Sequence, residues 1–224
     1  MNGYGIIWDV DGTLVDTAEL HFQAWVALAR AIGKPFTRAD FAGTFGWRNP
    51  EIIPKLFGKH YSDAEVADLG NRKESLYRAE AKKGLALLPG VKELLPALDA
   101  AGFKQAIGSS APRMNVDLIL DMTGIHRYIP YAVAMEDTAK GKPNPDVFLI
   151  AARKMGIAPE RCLVFEDAPV GVEAAKAGGM KAIGVTFVGH HPAEKLDAAG
   201  ADRIVHSLAE VSVAAARSIL GIDR

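Results

Sequence analysis

The sequence predicts an α/β fold, a parallel-sheet core carrying an inserted all-helical cap domain. Three observations carry this expectation. The chain opens on a short, β-rich apolar run at 4–10. No convincing strand follows between Thr17 and Gly84, where apolar residues recur at helical spacing instead. Beyond that block, five further short apolar runs alternate with helical segments, the pattern of right-handed βαβ units and a parallel sheet. One strand alone makes a poor sheet, so the first run must join the later ones. The helical block is then an insertion over the carboxyl end of the sheet. The expected division is 1–16 with 85–224 as core, and 17–84 as cap.

Each element follows in order. "YGIIWDV" is the first strand. "TAELHFQAWVALARAIG" sets Phe22, Trp25 and Leu28 at helical spacing, so they read as cap core, and Gly33 ends the helix. "ADFAGTF", "NPEIIPKLFG" and "SDAEVADLGNRKESLYRAEAKKG" continue in helical rhythm. Pro89-Gly90 starts a helix that ends near Gly102. Strands then fall in "KQAIGSS", "IPYAVAME", "RCLVFED", "KAIGVTF" and "DRIVHS", with helices over 112–122, 145–155, 168–178, 192–199 and 208–220. Such a core is Rossmann-like. The chain passes between core and cap twice, near Asp16–Thr17 and Lys83–Leu88, and hinges are expected there, closing the cap over the sheet edge.

Composition narrows the function classes. A chain of 224 residues, 49% apolar and 24% charged, can bury a real core. Its formal net charge is −1, with no basic block and no basic stripe interleaved with aromatics. No nucleic-acid partner and no membrane surface is therefore expected. No apolar stretch approaches the ~20 residues of a membrane span, and no basic segment precedes an apolar one at the N-terminus, so a cytoplasmic protein is expected. A monomer is expected, because the cap needs room to move. The single Cys162 excludes an internal disulfide and a thiolate metal cage, and within "CLVFED" it reads as an inert core thiol. His190-His191 precede Pro192 and read as an unpaired loop, because adjacent residues seldom point the same way. Trp47 reads as a loop residue open to solvent.

The chemistry gathers at the strand ends, where open parallel sheets bind ligands. "WDVDGTLVDT" packs Asp9, Asp11 and Asp16 into eight residues directly after the first strand. Like charges this close repel and resist desolvation, so something must compensate them. "KQAIG" ends at Ser109-Ser110, "AKGKPNPDVF" brings Lys142, and "RCLVF" ends at Glu166-Asp167. Converging carboxylates suit a hard cation with oxygen ligands, Mg²⁺, which shares its shell readily with a substrate phosphate. Lys142 and Ser109 would supply charge and a hydrogen bond to that phosphate. One aspartate can attack phosphorus, and the other, two residues on, can act as general acid and then as base. Each feature alone could be a turn, a helix cap or a solvated side chain. Their succession at consecutive strand ends points to a site.

These residues resemble the haloacid dehalogenase superfamily of phosphotransferases over nearly the whole chain. "DVDGTLVDT", "IGSS", "GKPNPDVF" and "FEDAPVGVEAAKAGGM" match its four motifs in order. "DTAELHFQAW" is similar to the β-phosphoglucomutase-like branch. The resemblance implies a nucleophile at Asp9, which also binds Mg²⁺. It implies a general acid/base at Asp11, whose backbone carbonyl meets the metal. Ser109 and Lys142 would hold the transferring phosphoryl group. Asp167 would be a further metal ligand, with Glu166 beside it. Thr17 and His21, at i and i+4, would face the acid/base from one helix surface. Gly46, Trp47, Arg48 and Asn49 form a cap loop suited to selecting a phosphorylated small-molecule substrate. The acid at position 11 disfavours dehalogenation, and no Schiff-base lysine motif for phosphonate hydrolysis is evident in the cap.

Two activities of this superfamily share the phosphoaspartate and differ in what attacks it next, water or a second sugar hydroxyl. A mutase needs a distal phosphate site, and the sequence departs from the mutase pattern there. Phe45 stands where mutases carry Lys before the cap Gly. Asn49 stands where they carry Arg, with Arg48 one place earlier, and Ser110-Ala111-Pro112 replace Ala-Ser-Lys after the motif serine. A lysine lost from a phosphate contact removes roughly 1.5–3 kcal/mol. Arg113 stands where it could compensate, and Ser110 and Arg113 join the substrate-binding candidates. The expectation is a Mg²⁺-dependent phosphatase on small phosphorylated metabolites, sugar phosphates first. The alternatives are a β-phosphoglucomutase and, more weakly, a non-catalytic phosphometabolite-binding module.

Overall fold

Six β-rich runs become six parallel strands in a computed structural model that describes residues 3–222. They are β1 Gly5–Trp8, β2 Lys104–Gly108, β3 Tyr131–Val133, β4 Cys162–Glu166, β5 Lys181–Val185 and β6 Arg203–Val205. Their order is β3-β2-β1-β4-β5-β6. The chain thus winds away from β1 to both sides, and the crevice beyond the carboxyl ends of β1 and β4 is the topological switch point where ligands bind. In register, Trp8 stands beside Ile107 on β2 and Phe165 on β4.

Alternation along the strands builds two apolar layers. Ile6 and Trp8 face one way with Ile107, Leu163 and Phe165, while Ile7 faces the other with Ala106 and Val164. The Trp8 ring stacks on Phe165 with centroids 4.3 Å apart. Its indole N–H donates to Gln105 Oε1 at 3.0 Å, and Gln105 Nε2 donates to the Leu95 carbonyl at 2.9 Å. Buried polar groups here are therefore satisfied without water.

Between β1 and β2 the chain forms α1 Ala18–Ala31, α2 Arg38–Ala42, α3 Asn49–Phe57, α4 Asp63–Ala81 and α5 Val91–Ala100. The first four share an apolar cluster of their own, with Phe22, Trp25 and Leu28 at its centre as expected. Pro54 lies inside α3 and forfeits one backbone bond. Buried Ile52, Ile53 and Phe57 keep that helix in place. The two crossings into this block lie side by side: the Leu88 N–H donates to the Leu14 carbonyl at 2.9 Å, and Val15 bridges Leu87 antiparallel. The later crossovers are α6 Arg113–Thr123, α7 Asp146–Met155, α8 Pro169–Ala177 and α9 Ala193–Ala198, and α10 Val213–Ile219 follows the last strand.

Two expectations need correction. The first strand stops at Trp8 rather than running to 10, because Val10 turns the chain: its carbonyl accepts from Leu14 N at 2.9 Å and Val15 N at 3.2 Å. Gly12 makes this turn feasible with φ +88°. The last expected helix, 208–220, breaks into a short turn at Leu208–Glu210 and then α10, which Ser212 caps by accepting from the Ala215 N–H at 3.1 Å.

Candidate active site

The turn after β1 places Asp9 at the sheet tip and Asp11 just above it. Asp9 is buried, and its Oδ1 accepts from Lys142 Nζ at 2.6 Å. Lys142 also reaches Glu166 Oε1 at 2.5 Å, so one ammonium bridges two strand ends. Burial and the nearby Glu166 push the Asp9 carboxyl up to about 8, against the pull of Lys142. Burial alone would depress the Lys142 ammonium, but Asp9 and Glu166 hold it above its ordinary range. Burial, Glu166 and Asp9 together push Asp167 well above the usual carboxylate range.

Asp9, Glu166 and Asp167 present carboxylate oxygens within 4.8 Å of one another. Asp167 Oδ2 is buried with no hydrogen-bond partner among the described residues. Gly12 lies so close that a Cβ there would stand 2.1 Å from this oxygen. An orphaned carboxylate oxygen in an all-oxygen cluster with excess negative charge fits a hard divalent cation. Glu166 is placed differently from the other two. Its Oε1 meets Lys142 and its Oε2 accepts from the Ala168 N–H at 2.8 Å, so both oxygens already have partners.

Asp11 is held from the helical side. Its Oδ1 accepts from Thr17 Oγ1 at 2.5 Å and meets His21 Nε2 at 3.1 Å. Lys73 Nζ lies 2.6 Å from His21 Nδ1; donation there leaves the imidazole proton on Nε2, facing Asp11. Burial would raise the Asp11 carboxyl, yet His21 and the two hydrogen bonds outweigh it and hold it below the usual range. Behind them, Glu74 accepts from Lys73 Nζ at 2.9 Å, Asn49 Nδ2 at 2.8 Å and Asn115 Nδ2 at 2.7 Å. The His21 ring stacks on Tyr77 at 4.0 Å.

A cleft opens between the strand tips and the helical insertion. Asp9, Asp11, Ser109 and Ser110 line its floor, and Trp25, Phe41, Phe45, Gly46, Trp47 and Asn49 line its roof. Ser109 Oγ accepts from the Ala111 N–H at 3.0 Å, which leaves its own hydroxyl hydrogen available to donate. Trp47 is half-buried in this roof rather than open to solvent, with Lys55 Nζ 4.1 Å from its ring centroid.

The structure therefore brings Asp9, Asp11, Thr17, His21, Gly46, Trp47, Asn49, Ser109, Ser110, Lys142, Glu166 and Asp167 together. It sets two candidates apart. Arg113 pairs with Asp137, donates to the Ala132 carbonyl at 3.3 Å and does not line the cleft. Arg48 also turns away, toward the core loop at 138–139. The 190–191 pair is a loop, as expected, but not an idle one. His190 packs on Phe41 and Phe45 of the cap, with centroids 5.4 and 4.9 Å away. Burial, Lys195 and His190 push His191 down to about 4. Burial pushes the Cys162 thiol up to about 12, in keeping with an inert core residue.

Sequence reasoning missed Lys73, Glu74 and Asn115. A signal was available on α4. Val66, Leu69, Gly70, Lys73 and Tyr77 are all buried and recur at i, i+3, i+4, i+7 and i+11. A lysine inside an apolar stripe is a buried charge that needs partners.

Comparison with known proteins agrees with this geometry. A beta-phosphoglucomutase of Bacillus subtilis is 36% identical over 187 residues, covering 80% of this chain and 82% of that protein. A phosphorylated carbohydrates phosphatase of Thermotoga maritima is 31% identical over 182 residues, with 80% and 82% covered. The crystal structure of a beta-phosphoglucomutase from Clostridium difficile superposes with a TM-score of 0.88, covers 98% of each chain and, at 23% identity, speaks to the fold. The family model for haloacid dehalogenase-like hydrolases matches residues 6–185, from the strand that delivers Asp9 to the end of β5, and this chain belongs to that family.

Proposed function

We propose that this chain is a Mg²⁺-dependent phosphatase that hydrolyses small phosphorylated metabolites, sugar phosphates foremost, through a phosphoaspartate at residue 9. The supporting observation is the paired placement of Asp9 and Asp11. One carboxylate is tied to Lys142 at the cleft floor, and the other is clamped by Thr17 and His21 two residues on. Asp9, Asp167 and the Asp11 backbone carbonyl would hold the cation; Glu166, with both oxygens engaged, serves by orienting Lys142. Bound there, Mg²⁺ supplies charge to offset the phosphoryl oxygens and the crowded carboxylates.

The residues of the chain account for each transfer. Lys142 occupies Asp9 Oδ1, which leaves Oδ2 to attack phosphorus while the ester oxygen departs with a proton from Asp11. Asp11 then takes a proton from water, the water attacks the phosphoaspartate, and inorganic phosphate leaves with Asp9 restored. Ser109 and Lys142 steady the phosphoryl oxygens in both steps.

Hydrolysis is favoured over isomerisation because, among the described residues, no uncommitted lysine or arginine lines the cleft. Phe45 occupies the roof, Lys73 is committed to His21 and Glu74, and Arg113 is paired with Asp137. A monomeric, cytoplasmic setting stays part of this proposal. Assay of hexose monophosphates with Mg²⁺ tests it. The expected result is release of inorganic phosphate, abolished by chelation. Conversion of β-glucose 1-phosphate to glucose 6-phosphate without phosphate release would instead make the chain a mutase.

A further inference from the structure

Arg48 belongs to the cap, yet its guanidinium lies on the core. Nη1 donates to the Thr138 carbonyl at 3.1 Å, and Nη2 donates to the Ala139 carbonyl at 3.3 Å. Nε and Nη2 also grip Glu51 Oε1, at 2.9 and 2.7 Å. The same Glu51 oxygen accepts from the Gly141 N–H at 3.2 Å. The Arg48 side chain is only 10% exposed in this contact. Its core partners are backbone groups of 138–141, the segment that ends in Lys142.

The approach is close enough to restrict the sequence. A Cβ on Gly141 would stand 2.7 Å from Arg48 Nε and from both Glu51 carboxylate oxygens, so a side chain there would push the clasp aside. Next to the clasp, Lys142 is fully buried and bridges Asp9 and Glu166. A displacement of about 1 Å at such a group costs on the order of 10²-fold in rate.

We propose that Arg48 and Glu51 are positioning residues: seating the cap places their clasp on 138–141 and thereby sets Lys142 against Asp9 and Glu166. Cap closure and assembly of the phosphoryl site are then one event. Arg48 does not touch the substrate. Its Nε, Nη1 and Nη2 are all engaged, and it lies outside the cleft lining. The activity test below rests on the proposed phosphatase reading, and the exchange test does not.

Turnover of a hexose monophosphate and of acetyl phosphate, a donor with no sugar, separates the roles in Arg48→Ala. A positioning residue affects both donors, so kcat/KM falls roughly 10- to 100-fold for each. Gly141→Ala shows the same loss, and the double variant is no worse than either single one. Glu51→Gln, which keeps the acceptor, recovers much of the activity that Glu51→Ala loses. A loss confined to the hexose phosphate would place Arg48 on the substrate and overturn the proposal, as would additive losses or unchanged turnover. Should the wild type hydrolyse neither donor, amide exchange in the full chain decides. The Gly141 N–H is protected in the wild type and exchanges at least about 10-fold faster in Arg48→Ala; equal rates would overturn the clasp.

Discussion

At the scale of single residues, the site rests on a few buried charges that neutralise one another. Lys142 bridges Asp9 and Glu166 inside the protein. Removing one member of such a buried set leaves uncompensated charge, which destabilises by roughly 3–5 kcal/mol. Lys142→Met is therefore expected to lower the urea midpoint substantially as well as abolish turnover. An unchanged midpoint would show that the two carboxylates are content without it. Lys73 acts one step further back. With its Nζ 2.6 Å from His21 Nδ1, it fixes which imidazole nitrogen faces Asp11. Lys73→Met is expected to lower kcat by up to roughly 10²-fold, the scale of general acid–base assistance, with KM little changed. Steady-state kinetics would expose a contrary result, a raised KM at constant kcat, which would mean that Lys73 contacts substrate.

At the scale of elements, α1, α3, α4 and α6 meet around Glu74, which joins Lys73, Asn49 and Asn115. Burial would raise the Glu74 carboxyl, but Lys73 and His21 bring it from 4.5 down to about 2. A depressed carboxylate stabilises the fold above its unfolded pKa, and that stability drains away as pH falls from about 4.5 toward about 2. The full effect is on the order of 3 kcal/mol. Chemical denaturation at a series of pH values should show a steeper loss below pH 4.5 in the wild type than in Glu74→Gln. Parallel curves would remove Glu74 from the account of stability. The same helices show where sequence reading stops. Asp9, Ser109 and Glu166-Asp167 were legible because each stands at the end of a short apolar strand, so position along the chain fixes position in space. The Glu74 network was not legible. Asn49 and Asn115 lie 25 and 41 positions from it, and only packed helices bring them there.

At the scale of the whole molecule, the doubly wound sheet decides which strand ends become neighbours. β1 sits centrally and pairs with both β2 and β4, so Asp9 has Ser109 on one side and Glu166-Asp167 on the other. The strand–helix rhythm foretold this parallel arrangement and the insertion over it. It could not foretell which cap side chains would reach the cleft. Arg48 and Asn49 are adjacent in sequence, yet Asn49 lines the cleft and Arg48 grips the loop before Lys142. Arg113 was drawn off by Asp137, a residue 24 positions later that no local pattern connects to it.

The central claim is that Asp9 accepts the phosphoryl group. Rapid acid quench of the wild type turning over a hexose monophosphate with Mg²⁺, followed by peptide mapping, tests it most directly. Phosphate should be found on the carboxylate of residue 9, and neither this adduct nor turnover should survive in Asp9→Asn. Phosphate on another side chain, or undiminished turnover in Asp9→Asn, would contradict the account.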